Sequence, residues 1–262
     1  MNLDLTGKTA LVCGASQGLG LASATELALL GANVIAASRN EEKLQSAIKG
    51  LNISKGQQHR YLVLDLSNPD AVKETITDFI AKGNIINILI NNAGGPPSAS
   101  MIDTGSDEIE KAFRTHVISS HLLAQALVPG MKTAGFGRII NIVSTSIKQP
   151  LNGLGISNLV RSAVANWAKT LANEIGESGI TVNNVLPGNI NTDRLDYLFS
   201  KQAADNGVAQ ETIVKKATSL IPAGRIGETN EFGAAVAFLC SPAASYINGI
   251  NLPVDGGKTG SL

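Results

Sequence analysis

The sequence predicts an α/β fold in which a doubly wound, seven-stranded parallel sheet carries helices on both faces. Short β-branched runs alternate with segments of helical periodicity along nearly the whole chain, which is typical of parallel strands joined by helices. A glycine-rich turn also joins the first strand candidate to the first helical segment. Ligands bind such a sheet at the carboxyl ends of its strands, so the functional residues are expected there.

The predicted elements follow one another at short intervals. The strand candidates are residues 9–13, 33–38, 60–65, 86–90, 137–144, 180–186 and 251–254, and the clearest helical patterns are 18–30, 107–128, 156–177 and 228–239. Residues 193–224 depart from this alternation as a long polar and amphipathic excursion, and extra chain at that place usually builds a lid or a substrate wall. No stretch of 1–262 looks like a linker, so we expect a single domain.

Composition and charge narrow the class of protein. Hydrophobic residues make up 44% of the chain and charged residues 16%, which suits a continuous core. Lys plus Arg and Asp plus Glu number 21 each, so no net field attracts nucleic acid or anionic lipid. We find no signal peptide and no apolar stretch of the roughly 18 residues that a membrane-spanning helix needs.

Two cysteines, Cys13 and Cys240, lie in apolar segments and have neither metal-ligand nor redox spacing. They suit small buried residues in a reducing compartment. Together with the charge balance, this predicts a soluble cytoplasmic protein without a metal site, whose partners are small molecules and copies of itself.

The turn after the first strand carries Gly14, Gly18 and Gly20 in the spacing G-x-x-x-G-x-G. The first glycine permits a tight turn, the second lets backbone amides approach a diphosphate, and the third lets the helix pack on the strand. The helix N-terminus then faces negative charge. The turn therefore predicts a dinucleotide site, with contacts expected from Gly14, Ser16, Gln17, Gly18, Leu19 and Gly20.

The end of the second strand indicates which dinucleotide binds. NAD-selective versions of this fold carry an acid there, which accepts hydrogen bonds from the adenosine ribose. This chain has Ser38 and Arg39 instead. Because a guanidinium makes charge-assisted bidentate bonds to phosphate, Arg39 is expected to hold a 2′-phosphate. NADP(H) is the favoured cofactor and NAD(H) the second candidate; the alternative for Arg39 is a solvated side chain beside Glu41 and Glu42.

Further landmarks follow in the order of one known family. They are Asp65-Leu66 after the third strand, Asn91-Asn92-Ala93-Gly94 after the fourth, Ser144 ending the fifth, Pro187-Gly188-Asn189-Ile190-Asn191-Thr192 after the sixth, and Val254-Asp255-Gly256-Gly257 near the end. With these motifs the chain resembles the short-chain dehydrogenase/reductase superfamily, in its 3-oxoacyl-(acyl-carrier-protein) reductase-like branch. The resemblance implies a Rossmann fold and hydride transfer between nicotinamide and a carbonyl or alcohol substrate.

The resemblance also implies which residues contact the cofactor. These are Asp65 and Leu66 at the adenine, Asn91, Ala93 and Gly94 on the adenosine side, and Pro187, Gly188, Ile190 and Thr192 at the nicotinamide end.

The catalytic positions depart from the family pattern of Asn, Ser, Tyr and Lys. Ser144 matches the serine, but Ser157 stands 13 residues on, where the tyrosine belongs, and Arg161 stands where the lysine belongs. The asparagine aligns with His116. Residues 157 and 161 lie one helical turn apart, so their side chains point to the same place. Arg161 is expected to hold the nicotinamide ribose as well.

What the altered pattern lacks is an acid with a useful pKa. A tyrosine phenol beside an ammonium comes down from a pKa of about 10 towards neutrality, whereas an alkyl hydroxyl is not tuned that far. An arginine, with a pKa above about 12, relays no proton. His116, with an ordinary pKa near 6.5, and Lys148, four residues past Ser144, are candidate donors. Their alternatives are a packed helix residue and an exposed loop lysine.

Two functions therefore stay open on the sequence. The first is an NADP(H)-dependent oxidoreductase that acts on a carbonyl or alcohol through an atypical site. The second is a cofactor-binding protein without turnover, which senses NADP(H) or works as an inert partner of an active relative.

We predict a homo-oligomer, a tetramer with 222 symmetry. The resemblance implies that the helices beginning near Asp107 and Ile156 pack against their copies. In the second helix Val164, Trp167 and Leu171 belong to a broader apolar surface than contact with one sheet face requires. Light scattering at micromolar concentration measures the assembly, and a monomer would contradict the prediction.

Overall fold

The chain forms one sheet of parallel strands, which confirms the predicted fold class. The computed structural model describes residues 1–261. Its strands are β1 (Thr9–Cys13), β2 (Asn33–Ser38), β3 (Arg60–Val63), β4 (Ile88–Asn91), β5 (Gly137–Ile142), β6 (Ile180–Pro187) and β7 (Asn251–Val254). They lie in the order β3-β2-β1-β4-β5-β6-β7. Because the order reverses between β1 and β4, a crevice opens at the carboxyl ends of these two strands.

Helices cover both faces of the sheet. They are α1 (Gly18–Leu29), α2 (Glu41–Lys49), α3 (Pro69–Ala81), α4 (Ser106–Phe113), α5 (Ser119–Thr133), α6 (Gly155–Ile175), α7 (Asp193–Asn206), α8 (Gln210–Ser219) and α9 (Thr229–Cys240). Helices α1, α2 and α9 pack on one face, where Val12 is buried, and α3, α5 and α6 pack on the other, where Leu11 is buried. Successive strand residues thus enter opposite cores, as the period of two requires.

The long helix predicted over 107–128 is interrupted. Helix α4 ends at Phe113, a π-helical turn spans Arg114–Ile118, and α5 begins at Ser119. The Ser119 hydroxyl donates to the carbonyl of Leu66, 2.7 Å away, and also approaches the carbonyl of Arg114 at 3.3 Å. This contact joins the wide turn to the segment after β3, and π-turns of this kind are frequent at functional sites.

Two predicted strands end early because their last residues turn into the crevice. Strand β3 stops at Val63, and the carboxylate of Asp65 accepts hydrogen bonds from the amide and hydroxyl of Ser67. Strand β5 stops at Ile142, and Ser144 then caps a short 3₁₀ turn by accepting a bond from the Ser146 amide at 3.1 Å. Both ends leave polar groups at the carboxyl edge of the sheet.

A ladder of asparagine side chains fixes the register of four strands at this edge. Asn91, Asn141, Asn184 and Asn251 are direct partners on β4, β5, β6 and β7. Each side-chain amide donates to the carbonyl oxygen of the next, at 2.8, 2.9 and 2.8 Å. Because a one-residue slip would break these bonds, the ladder holds the four strands in register.

The excursion predicted over 193–224 contains α7 and α8, which pack on each other through Phe199, Ala203 and Ile213. An isolated parallel bridge between Ile190 and Gly227 closes its base. The excursion therefore begins and ends beside the carboxyl end of β6. Within residues 1–261, no helix has the length and apolar character that crossing a bilayer requires.

Candidate active site

A cleft of about 1600 Å³ lies at the reversal of strand order. The glycine-rich turn, the ends of β2, β4, β5 and β6 and the start of α7 form its walls. This volume exceeds the roughly 300–1,000 Å³ of a site for one drug-sized ligand. The cleft therefore has room for a dinucleotide and a small substrate together.

The glycine-rich turn has the geometry that close approach of a ligand requires. Gly14 and Gly18 have positive φ angles of 63° and 56°, which disfavour any residue with a Cβ. A Cβ on Gly20 would strike the carbonyl of Gly14, so Gly20 serves the packing of α1 on the turn and does not itself line the cleft. Ser16, Gln17, Gly18 and Leu19 do line it.

The adenosine end gathers three side chains suited to a phosphate. The Ser38 hydroxyl at the end of β2 is buried and has no hydrogen-bond partner among the described residues. Arg39, exposed beside it, forms no ion pair within residues 1–261, and its charge helps to lower the pKa of Asp65. Lys43, which the sequence analysis missed, lines the same end and donates to Gln17 at 2.9 Å.

The position of Lys43 near the end of β2 could have been predicted from the sequence. Asn40 caps α2 by accepting a bond from the Lys43 amide at 2.8 Å, which places Lys43 in the first helical turn. A residue four positions after Arg39 therefore returns to the strand end. The orphaned Ser38 hydroxyl and two cations fit a phosphate on the adenosine ribose.

Asn91 does not line the cleft, so the role expected for it is wrong. Its side chain is buried and belongs to the asparagine ladder. The neighbouring Asn92 lines the cleft instead and donates to the Cys13 carbonyl at 3.2 Å. Strand β4 includes Asn91, and successive side chains of a strand point to opposite faces of the sheet. The side chain of Asn91 therefore enters the core.

Eight further residues expected at the cofactor lie on the walls of this cleft. Asp65, Leu66, Ala93, Gly94, Pro187, Gly188, Ile190 and Thr192 all line the cleft. A Cβ on Gly188 would collide with Asp255. The loop after β6 therefore lies directly on the C-terminal segment, and this contact fixes that wall.

Arg161 is the buried cation of the cleft. Its side chain is 8% exposed, and its guanidinium donates to the carbonyls of Ile142 and Ala93, the latter at 3.4 Å. Its Nε has no partner among the described residues. Burial, and then the charge of Arg194, lower its pKa to about 10. Arg161 therefore stays protonated at neutral pH and cannot relay a proton.

His116 lies on the π-helical turn and is 5% exposed. Burial lowers its pKa to about 3, the charge of Arg161 acts in the same direction, and a hydrogen bond with the Gly94 backbone opposes both. The expectation that His116 titrates near neutrality is therefore wrong. Sequence spacing could not reveal this, because the shift depends on burial and on the charge of Arg161, which lies on α6, beyond β5 in the chain.

The two serines also reach the cleft. Ser144, after β5, and Ser157, in the first turn of α6, both line it together with His116 and Arg161. Lys148, the second candidate donor, is half-buried and does not belong to the lining residues. The cleft thus presents two hydroxyls, a neutral imidazole and a buried guanidinium.

A substrate-side wall completes the cleft. Ala99 and Leu154 form a parallel bridge, and the side chain of Asn158 holds the segment before α6 through bonds with the backbone of Leu151 at 2.9 and 3.3 Å. Arg194, also missed from the sequence, crosses from α7 to the opposite loop and donates to the Pro96 carbonyl at 3.1 Å.

A doubly wound sheet with a dinucleotide cleft at its switch point defines a Rossmann-type nucleotide-binding protein. Comparison with protein families narrows this class. The family model described as enoyl-(acyl carrier protein) reductase matches residues 14–259. The chain belongs to the short-chain dehydrogenase/reductase family, a family of oxidoreductases, which confirms the resemblance.

Relatives match over the full chain. A 3-oxoacyl-[acyl-carrier-protein] reductase of Vibrio cholerae is 34% identical over 97% of this chain and 98% of its own length. A gluconate 5-dehydrogenase of Gluconobacter oxydans is 33% identical over 99% and 97%. Among solved structures, L-sorbose reductase of Gluconobacter frateurii, complexed with NADPH and L-sorbose, has a TM-score of 0.93, is 29% identical and covers 100% of both chains.

The depressed pKa of His116 predicts an acid-sensitive fold. The unfolded chain binds a proton at this histidine near pH 6.5 and the folded chain only near pH 3. The stability due to the neutral imidazole is therefore complete above pH 6.5 and is lost as pH falls towards 3. His116→Asn should reduce the slope of the unfolding free energy between pH 4 and 6 by at most about 1.4 kcal/mol per pH unit.

Urea unfolding at a series of pH values measures this slope. The matched control is His121→Asn, which removes an exposed imidazole from α5 and should leave the slope in place. An unchanged slope in His116→Asn would show that His116 does not carry the effect.

Proposed function

We propose that this chain is an NADP(H)-dependent oxidoreductase that transfers a hydride between nicotinamide and a carbonyl or alcohol substrate. The observation that carries the proposal is the single cleft that joins phosphate-binding groups at one end to Ser144, Ser157 and Arg161 at the other. The NADPH complex of the similar L-sorbose reductase supports it.

The adenosine end supports NADP(H) over NAD(H). Ser38, Arg39 and Lys43 offer a hydroxyl and two cations, and two cations suit a dianionic 2′-phosphate better than a ribose hydroxyl. Glu41 and Glu42 follow in the first turn of α2, but Glu41 is engaged by the Tyr61 hydroxyl at 2.8 Å. The acid that would favour NAD(H) is therefore not at the end of β2.

At the other end, NADPH would supply the hydride when bound. Arg161 is proposed to hold the nicotinamide ribose, and the carbonyls of Ile142 and Ala93 fix its guanidinium in place. The hydroxyls of Ser144 and Ser157 orient the substrate carbonyl. The buried positive charge of Arg161 stabilises negative charge that develops on the carbonyl oxygen.

The proton for the substrate oxygen comes from solvent in this proposal. Ser157 is a mismatched acid, Arg161 stays protonated, and the imidazole of His116, with a pKa of about 3, is neutral near pH 7. A positioned general acid is worth roughly 10²- to 10⁴-fold, or about 3 to 5.5 kcal/mol of barrier. Turnover is therefore slower than with an intact Tyr and Lys pair, but hydride transfer stays feasible.

We also propose a homotetramer in the cytoplasm. Phe113 on α4 and Leu159 on α6 are exposed apolar residues, and Ala163 and Trp167 continue the same stripe of α6 as half-buried residues. Contact with a second copy would cover this stripe. The excursion over 193–224 is proposed as the substrate-side wall.

Cofactor selectivity tests the adenosine end. We expect NADPH to bind about 10- to 150-fold more tightly than NADH, the range of a charge-assisted phosphate contact. Arg39→Asp should remove the difference or reverse it, and Lys43→Ala should reduce it. Fluorescence titration measures both affinities. Lys49→Ala, at the far end of α2, is the matched control; equal affinities in the unmodified protein would contradict the proposal.

Restoring the family's acid tests the catalytic end. Ser157→Tyr combined with Arg161→Lys should raise carbonyl reduction by one or more orders of magnitude, up to roughly 10⁴-fold. Single-turnover oxidation of NADPH by ketones and 3-oxoacyl thioesters measures the rate, after NADPH affinity has been checked. Ser162→Tyr, exposed on the same helix, is the control.

Two results would overturn this account of the catalytic end. If Ser157→Ala abolished turnover with fold, NADPH affinity and substrate affinity intact, orientation of the carbonyl would not explain the loss and Ser157 would need a direct role in proton transfer. If NADPH bound and no carbonyl oxidised it, the chain would be a cofactor-binding protein without turnover.

A further inference from the structure

Arg194 bridges the substrate end of the cleft. It lies in the first turn of α7, two residues after Thr192. Its Nη2 donates to the Pro96 carbonyl at 3.1 Å, and a Cβ on Gly95 would lie 3.5 Å from the same nitrogen. Its guanidinium also approaches the Tyr197 ring, 5.6 Å from the ring centre. The side chain is thus held across the cleft, between α7 and the loop after β4.

This guanidinium has no anionic partner. Within residues 1–261 no carboxylate forms an ion pair with Arg194, although Asp193 precedes it and also lines the cleft. Its Nε and Nη1 make no hydrogen bond among the described residues, so two donor positions stay available.

A second cation faces the same space. The charge of Arg194 is felt by the buried Arg161 and lowers the pKa of that group. Like charges around one cleft repel each other when nothing lies between them. An anion bound between the two guanidinium groups would relieve this repulsion and accept bonds from the free donors of Arg194.

We propose that Arg194 binds a carboxylate of the substrate, so that the substrate class is a carbonyl or hydroxy acid. The inference rests on the proposed function, since it assigns the substrate of the same cleft. Arg194 is well suited to the role because guanidinium bonds to carboxylate are bidentate and directional. Arg194 is held by the Pro96 carbonyl, on the substrate-side loop. It therefore lies apart from the glycine-rich turn, where the diphosphate is expected.

Matched ligand pairs test the proposal without depending on turnover. Gluconate and sorbitol differ only in a carboxylate against a hydroxymethyl group, as do levulinate and 5-hydroxy-2-pentanone. The alcohols are titrated into the NADPH complex and the ketones into the NADP⁺ complex by calorimetry, so that no hydride can move. In at least one pair the carboxylate should bind about 10-fold or more tightly than its neutral partner.

Variants assign this preference to Arg194. Arg194→Leu should abolish it, Arg194→Lys should keep part of it, and Lys201→Leu, exposed on the same helix outside the cleft, should leave it unchanged. NADPH affinity should change less than about threefold in Arg194→Leu. If Arg194→Leu removes the carboxylate preference, the anion site is supported, whether or not the protein oxidises NADPH. If the protein never oxidises NADPH, the proposed function alone fails.

Three results would overturn the inference. Equal affinities within both pairs would show that no carboxylate is selected, and a preference that survives Arg194→Leu would place the anion elsewhere. A 10-fold or greater loss of NADPH affinity in Arg194→Leu would make Arg194 a cofactor residue.

Discussion

The buried guanidinium of Arg161 constrains the whole nicotinamide end of the cleft. Its bonds to the carbonyls of Ile142 and Ala93 tie the end of β5 to the loop after β4. No acid pairs with it among the described residues, so peptide dipoles alone offset the cost of burying the charge. The same charge helps to keep His116 neutral. Burial is the larger cause of the low pKa of His116, and the charge of Arg161 adds to it.

Carbonyl reduction needs both stabilisation of developing charge and delivery of a proton, and a Tyr and Lys pair usually supplies the two together. The arrangement proposed for this cleft separates them. A fixed cation and two hydroxyls can position a substrate and stabilise developing charge, which is the larger part of many rate enhancements. They cannot deliver a proton with a matched pKa. In the proposed function, the site therefore retains cofactor binding and electrostatic stabilisation and leaves proton transfer to water.

Much of the fold could be predicted because its signals are local. Gly14 and Gly18 need positive φ, and alternation of strand and helix patterns dictates a parallel sheet. The π-helical turn at Arg114–Ile118 could not be predicted, since it depends on the contact between Ser119 and the Leu66 carbonyl, far apart in sequence.

The position of the site could be predicted from the sequence, but the pKa values of its residues could not. Motif order brings Ser144, Ser157 and Arg161 to one cleft, whereas the pKa of His116 follows from burial and from a cation on another helix. Asn91 and Asn92 are identical in type, and only the strand alternation assigns the first to the ladder and the second to the cleft. No sequence motif marks Arg194. Its proposed role follows only from the contact between its side chain on α7 and the Pro96 carbonyl.

The central claim is that hydride is transferred in a cleft without a protein acid. The pH dependence of single-turnover NADPH oxidation tests this claim most directly. With a carbonyl that the protein reduces, the logarithm of the rate should vary between pH 5.5 and 9 without an inflection from the catalytic positions, because the pKa of His116 is about 3 and that of Arg161 about 10. An inflection that disappears in His116→Asn or Ser157→Ala would contradict the account, because one of these side chains would then be the proton donor.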